Sequence, residues 1–214
     1  MCEYAKANWE NKTYELQPKE GGGWNASSWF AQAKPELKKK NALINLPYIL
    51  HNGAVISQTD ACMMYLGALF KLNGGNTTDC LQLACEVMDL RNSAVRLFYG
   101  SSATFEDSLQ KHANGTVQRH YSKLEEWLKA KKTTFLLGET PTVPDFHLWE
   151  MIDQHEILAK ANKIDSFLKD YPCLSRQYKA FRSLKELEGY FSGALYKELP
   201  LNNKSASFGA TVIS

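Results

Sequence analysis

The feature that most constrains the fold is a change of pattern near residue 75. The stretch Leu72-Asn73-Gly74-Gly75-Asn76 is a Gly/Asn breaker, and Thr77-Thr78-Asp79 behind it offers helix N-cap chemistry. Beyond this point the apolar residues recur at helical spacing. From Thr78 to about Gly100 they fall at Leu83, Val87, Leu90, Ala94, Leu97 and Phe98. A second long helix is expected over roughly Thr104 to Ala130. After a loop with Gly138, Pro141 and Pro144, a third opens at Thr142-Val143-Pro144-Asp145 and runs to about Lys160. Shorter helices are expected at Lys163 to Lys169 and Leu174 to Glu188, with an irregular tail after Leu199. The pattern divides the chain into a mixed segment, residues 1–74, and an all-helical segment, residues 75–214.

The first segment carries short elements. Thr13 to Leu16 is a strand candidate and Gly21-Gly22-Gly23 a flexible turn. Ser27 to Ala33 is expected to form a short helix stopped by Pro35. Leu46 to Leu50 is strand-like. His51-Asn52-Gly53 contains the favoured hairpin pair, and Ala54-Val55-Ile56 is its return strand. Ser57 to Leu72 then reads as a helix. Strand, hairpin, strand, helix is the closing half of a small α/β domain.

Composition excludes several classes. With 44% hydrophobic and 22% charged residues in 214, the chain is an ordinary globular one, long enough to bury a core without disulfides or metals. A formal net charge of +2 provides no global field toward nucleic acid, and no nucleic-acid partner is expected. No apolar run approaches the roughly 18 residues that a membrane helix requires, so no membrane association is expected. The start, Met1 to Glu10, is polar and mixed in charge, unlike a secretory leader. Cys2, Cys62, Cys80, Cys85 and Cys173 are odd in number and lack the CxxC spacing, which points to free thiols in a reducing, cytoplasmic setting. The sequons at Asn11, Asn25, Asn76, Asn114 and Asn203 are read as chance occurrences. No histidines or cysteines stand at metal-ligand spacing, and no metal is expected. The lysine runs Lys38-Lys39-Lys40 and Lys129 to Lys132 read as solvated surface.

Several segments, taken in order, resemble the cytosolic glutathione transferases, nearest the mu and pi classes. Asn45-Leu46-Pro47-Tyr48-Ile49 is similar to the family's strand entry, and Gln58-Thr59-Asp60-Ala61 to its following helix start. Val87-Met88-Asp89-Leu90-Arg91, Thr142-Val143-Pro144-Asp145-Phe146 with His155, and Leu199-Pro200-Leu201-Asn202-Asn203 resemble three later segments. The resemblance implies an α+β two-domain chain: an incomplete thioredoxin-like domain over residues 1–74, then an all-α domain over residues 75–214. It implies a sheet order 2-1-3-4 in which the first strand and the loop with the catalytic tyrosine are unmatched here. Thr13 to Leu16 is then left without a neighbour and the strand with Tyr48 to Leu50 has an open edge. Tyr4 does not match the catalytic position, so the catalytic residue is unassigned.

The resemblance implies a cis bond at Pro47 that turns the backbone of Leu46 toward the cysteinyl part of glutathione. Gln58 and Thr59 would hold the γ-glutamyl carboxylate at a helix N-terminus. Trp29, Lys34 and Asn45 complete the implied glutathione-binding set. Asp60 puts a negative charge beside the carboxylate place, and Cys85 with Glu86 stands where the family borrows an aspartate from the partner subunit. The implied activity is conjugation of the glutathione thiolate to small electrophiles, a detoxification chemistry, by a cytoplasmic homodimer with glutathione as co-substrate. The alternative is a non-catalytic, transferase-like scaffold or complex subunit.

Overall fold

The computed structural model describes residues 1–213. It is an α+β chain whose strands all lie before residue 58. β1 (Gln17–Pro18) pairs antiparallel with β2 (Trp24–Asn25), and β3 (Tyr48–His51) with β4 (Ala54–Ser57). The two ladders are separate two-stranded sheets. In the second, Asn52 and Gly53 both take positive φ, as the tight hairpin requires. β3 is therefore bonded along one edge and open along the other among the described residues.

Two expectations about the first segment are corrected here. Thr13 to Leu16 forms no strand; the short pairing lies at Gln17–Pro18 instead. Gly21, Gly22 and Gly23 all adopt positive φ, and Lys19 N–H bonds to Gly23 O, so the turn closes the chain just after the expected strand. Pro35 does not stop a helix. A π-helical turn, Ser28–Ala33, runs directly into α1 (Lys34–Lys38), which carries Pro35 as its second residue.

α2 (Thr59–Leu69) follows the hairpin, and a short loop leads to α3 (Thr77–Phe98). Asn76 caps α3 by accepting from the N–H groups of Thr78 and Asp79, each at 3.1 Å. The expected second long helix is broken into α4 (Phe105–Lys111), a π-helical turn His112–Val117, and α5 (Gln118–Lys131). A further correction lies beyond α6 (Val143–Asn162). Lys163 turns into the left-handed region and ends that helix, and turns replace the helix expected at Lys163 to Lys169. α7 (Pro172–Arg182), α8 (Glu188–Ser192) and α9 (Ala194–Lys197) complete the helical part.

The main core is helical. Leu83, Val87 and Leu90 of α3 meet Tyr121, Leu124 and Leu128 of α5 and Leu148 and Ile152 of α6. α2 is held close to this body through Gly67. A Cβ there would collide with the side chains of Asn73 and Val143, so glycine sets the approach of α2 to the start of α6.

Candidate functional site

The sequence singles out Trp29, Lys34, Asn45, Leu46, Pro47, Gln58 and Thr59. The hairpin register brings most of them to one end of β3 and β4. Tyr48 pairs with Ser57, which sets Pro47 beside Gln58. The Leu46–Pro47 bond is cis. Ser57 brackets this corner: its Oγ accepts from Asn45 N–H and donates to Asn45 O, both at 2.9 Å. Asn41 ties the same loop to β4 by donating from Nδ2 to Val55 O at 2.9 Å. The loop is fixed from within, while Leu46 is 46% exposed.

α2 begins at this corner. Gln58 stands at its N-cap with φ 77° and ψ 133°, and no side chain caps the first N–H groups. Helix N–H groups that lack a cap, together with the dipole, favour an anion. Asp60 in the first turn opposes one. Its Oδ1 is buried without a hydrogen-bond partner, and burial raises its pKa, with Arg91 acting the other way. Thr59 faces a different space, the cleft described below.

Trp29 and Lys34 are arranged differently from an open binding wall. Trp29 is only 3% exposed. Its indole stacks on Tyr48 with centroids 5.9 Å apart, and Tyr14 packs on it at 5.1 Å. The Lys34 ammonium lies 5.9 Å from the Trp29 ring centroid and 5.4 Å from that of Phe30. The hydroxyls of Tyr14 and Tyr48 are 2.7 Å apart; burial and this bond push the Tyr48 pKa up to about 12. The sequence reading missed this aromatic cluster. Tyr14 lies in a stretch read as a strand without a neighbour, and nothing in the spacing joins it to Tyr48.

A cleft of about 750 Å³ opens between α2, α6 and the C-terminal stretch from Leu187 onward. Of the seven singled-out residues only Thr59 reaches it. Among the described residues no three His, Cys, Asp or Glu side chains converge to hold a metal ion, and no helix is long and apolar enough to cross a membrane.

Comparison with known proteins bears on the whole of this arrangement. Residues 88–193 match the family model described as glutathione S-transferase, C-terminal domain. Glutathione S-transferase P 10 of Caenorhabditis elegans is 36% identical over 135 residues, which are 62% of this chain and 62% of that protein. The chain is similar to the glutathione S-transferases in sequence and, over nearly its whole length, in fold. Human glutathione S-transferase Mu 4 is 24% identical over 216 residues, covering 98% of this chain and 90% of its own. The crystal structure of the glutathione S-transferase Blo t 8 superposes with a TM-score of 0.78 at 17% identity, over 97% of this chain and 91% of that one. The pi-class enzyme of Onchocerca volvulus gives 0.67 at 22% identity, over 82% and 84%. These superpositions fit the small sheets to the thioredoxin-like part of the fold and the helical body to the all-α part.

Proposed function

We propose that the chain binds glutathione and transfers its thiolate to small electrophiles, working as a cytoplasmic homodimer in detoxification. The observation that carries this reading is the corner itself: a cis Leu46–Pro47 bond, braced by Ser57, beside the uncapped start of α2. The backbone of Leu46 would pair with the cysteinyl peptide unit as an added strand does. The γ-glutamyl carboxylate would lie on the first N–H groups of α2, next to Gln58 and Thr59. Asn45 holds the corner through Ser57, and Lys34 stands over the ring of Trp29. We place the division between the two domains at residues 1–74 and 75–214, where the Gly/Asn breaker precedes α3.

In the transfer, the glutathione thiol loses its proton, the sulfur attacks the electrophilic carbon, and a leaving group such as chloride departs. The group that steadies the thiolate is unassigned. Named relatives of this chain are glutathione S-transferases, which supports the same chemistry here.

One observation favours the second reading, a transferase-like body without catalysis. Trp29 is packed beneath Tyr14 and Tyr48 rather than open at the site. One measurement separates the two. The purified chain is assayed for conjugation of glutathione to 1-chloro-2,4-dinitrobenzene, with glutathione binding followed separately by calorimetry. Catalysis above the spontaneous rate supports transfer. Binding without rate supports the scaffold reading, and absence of both overturns the glutathione assignment.

A further inference from the structure

The inner face of α7 buries Cys173, Leu174, Gln177 and Phe181. Its outer face carries charge of one sign only. Pro172, Ser175, Arg176, Lys179 and Ser183 recur there at helical spacing and line an open groove of about 590 Å³. No carboxylate lines this groove among the described residues.

The end of α5 adds positive charge to the same place. Arg176 Nη2 donates to Thr133 O at 3.4 Å, which ties the groove to the residue after Lys132. Lys129 lies 3.4 Å from Glu125, whose carboxylate also accepts from the first amides of α7. Lys132 ends α5 in the left-handed region and is exposed. Its neighbour Lys131 is engaged elsewhere, 3.7 Å from Asp79 and over the ring of Trp127. Among the described residues Lys132, Arg176 and Lys179 take part in no ion pair. Nearby carboxylates do not neutralise them. Glu139 accepts from the Thr134 hydroxyl at 2.6 Å, and Asp170 lines a separate hollow with Lys169. Glu126, exposed a turn before Lys129, bounds the patch at that end. The whole chain has a formal net charge of only +2, so this gathering is local. Like charges held together repel, and a partner of opposite sign relieves them.

The surroundings select among anionic partners. A bilayer takes up apolar side chains, and none of the exposed large apolar residues lies on α5 or α7. A nucleic-acid strand stacks its bases on rings, and no aromatic side chain lines the groove. An extended peptide needs neither. From Pro172 to Ser183 the helix rises roughly 16 Å, the span of about five extended residues.

We propose that this groove docks an acidic, extended segment of a partner protein, whose carboxylates lie along Lys132, Arg176 and Lys179. The Ser175 hydroxyl, on the same face, donates to the segment's backbone or side-chain oxygens. The surface does not rest on the transfer reading, because it needs neither glutathione nor catalysis.

A fluorescein-labelled hexaglutamate peptide is the probe, followed by anisotropy on the full chain. It is expected to saturate at one peptide per chain and to weaken as salt is raised, since exposed charges are screened. Arg176→Glu with Lys179→Glu, both at exposed positions, is expected to weaken binding about tenfold with an unchanged circular dichroism spectrum. Lys38→Glu with Lys40→Glu changes the net charge equally on the other lysine run and is expected to leave the affinity within twofold. Non-saturable binding, or a folded Arg176→Glu/Lys179→Glu chain that binds as the original does, overturns the groove. An equal loss in the Lys38→Glu/Lys40→Glu chain reduces the effect to net charge and overturns it too. Tighter binding of single-stranded DNA, or of phosphatidylserine vesicles, than of the peptide overturns the partner class.

Discussion

At the scale of single residues, Asp145 has the densest set of bonds in the molecule's interior. It is fully buried and sits at the third position of α6. Its Oδ2 accepts from the N–H of Thr142 at 2.9 Å and from the Thr142 hydroxyl at 2.7 Å. Its Oδ1 accepts from Leu136 N–H at 2.9 Å and from Gln177 at 3.3 Å. One carboxylate thus caps α6, fixes the preceding loop and reaches α7. The sequence pattern Thr142-x-x-Asp145 announces the cap, but neither Leu136 nor Gln177 is within its reach, and those two bonds are tertiary. Asp145→Ala leaves several buried donors unpaired and is expected to cost about 3 kcal/mol in urea unfolding. A loss under about 1 kcal/mol, no more than a lone cap, would show that the tertiary bonds contribute nothing. Gly67→Ala is the complementary case, since the added methyl meets Asn73 and Val143. It is expected to destabilise by about 1–3 kcal/mol, and an equally stable variant would mean that α2 can slide on α6 freely.

At the scale of elements, helices are stabilised by groups far away in sequence. Glu125 of α5 is buried and accepts from the N–H groups of Cys173, at 2.9 and 3.1 Å, and Leu174, at 2.9 Å. Burial pushes its carboxyl up, but the bonds to Leu174 and Cys173 outweigh that and the net shift is downward. α7 has no side-chain cap from its own N-cap residue, Tyr171, so the cap is supplied across 48 residues. Glu125→Ala is expected to speed hydrogen exchange of the Cys173 and Leu174 amides and to cost about 2 kcal/mol; unchanged exchange at those two amides would rule the cap out.

A second polar chain runs through α3, the π-helical turn, α6 and α5. Ser93 Oγ lies 3.2 Å from His112 Nδ1, His112 Nε2 lies 3.0 Å from His155 Nε2, and His155 Nδ1 lies 3.0 Å from the Tyr121 hydroxyl. A single proton fits between the two Nε2 atoms, so the ring that accepts there is neutral and the two rings cannot both be charged. Burial drives the His112 pKa down to about 4, with the charges of His120 and Arg96 adding to it, and drives that of His155 well below its ordinary value, with His112 adding to it. His147, buried near Arg91, also falls to about 4. These groups bind protons in the unfolded chain below pH 6.5 and not in the folded one, so stability falls with pH from about 6.5 toward 4, by roughly 3 kcal/mol for each histidine lowered to about 4. Asp145 acts in the opposite sense. Burial raises its pKa to about 6, so it favours the folded state as pH falls from about 6 to 4. Three histidines outweigh one aspartate, and urea midpoints are expected to drop between pH 6.5 and 4.5. A flat profile would show that the rings are protonated in the fold. The interruption at His112–Val117 was invisible in the sequence because Leu109, Val117, Tyr121 and Leu124 keep an apolar period across it; the break re-aims His112 toward His155 rather than changing which residues are buried.

At the scale of the whole molecule, what the sequence made legible follows where its signals are local. α3, α6 and the β3–β4 hairpin lie within a few residues of their expected bounds, since breaker, cap and Asn-Gly turn all act over a few positions. The braced corner was legible through Asn45, Leu46 and Pro47, yet Ser57, which holds it, was read only as the start of a helix. The burial of Trp29 by Tyr14 and Tyr48 depends on packing between segments whose spacing carries no common period. The same uneven distribution of contacts sets a prediction for stability. Before residue 75 the buried apolar side chains are Trp29, Ile44, Cys62 and Leu72, whereas α3 alone buries Leu83, Val87, Leu90, Leu97 and Phe98. β3 bonds to a partner along one edge, so its outer amides have no strand beside them among the described residues. Local opening follows the density of buried contacts. Amides of β3, β4 and the segment around Trp29 are therefore expected to exchange through openings that cost a fraction of the global unfolding energy, while those of Val87, Leu90 and Ile152 exchange only through global unfolding. Native-state hydrogen exchange across a series of low urea concentrations reads this directly. If both sets converge on one free energy from the outset, residues 1–74 and the helical body form a single cooperative unit, and the proposed boundary at residue 75 marks a change of secondary structure rather than of domain.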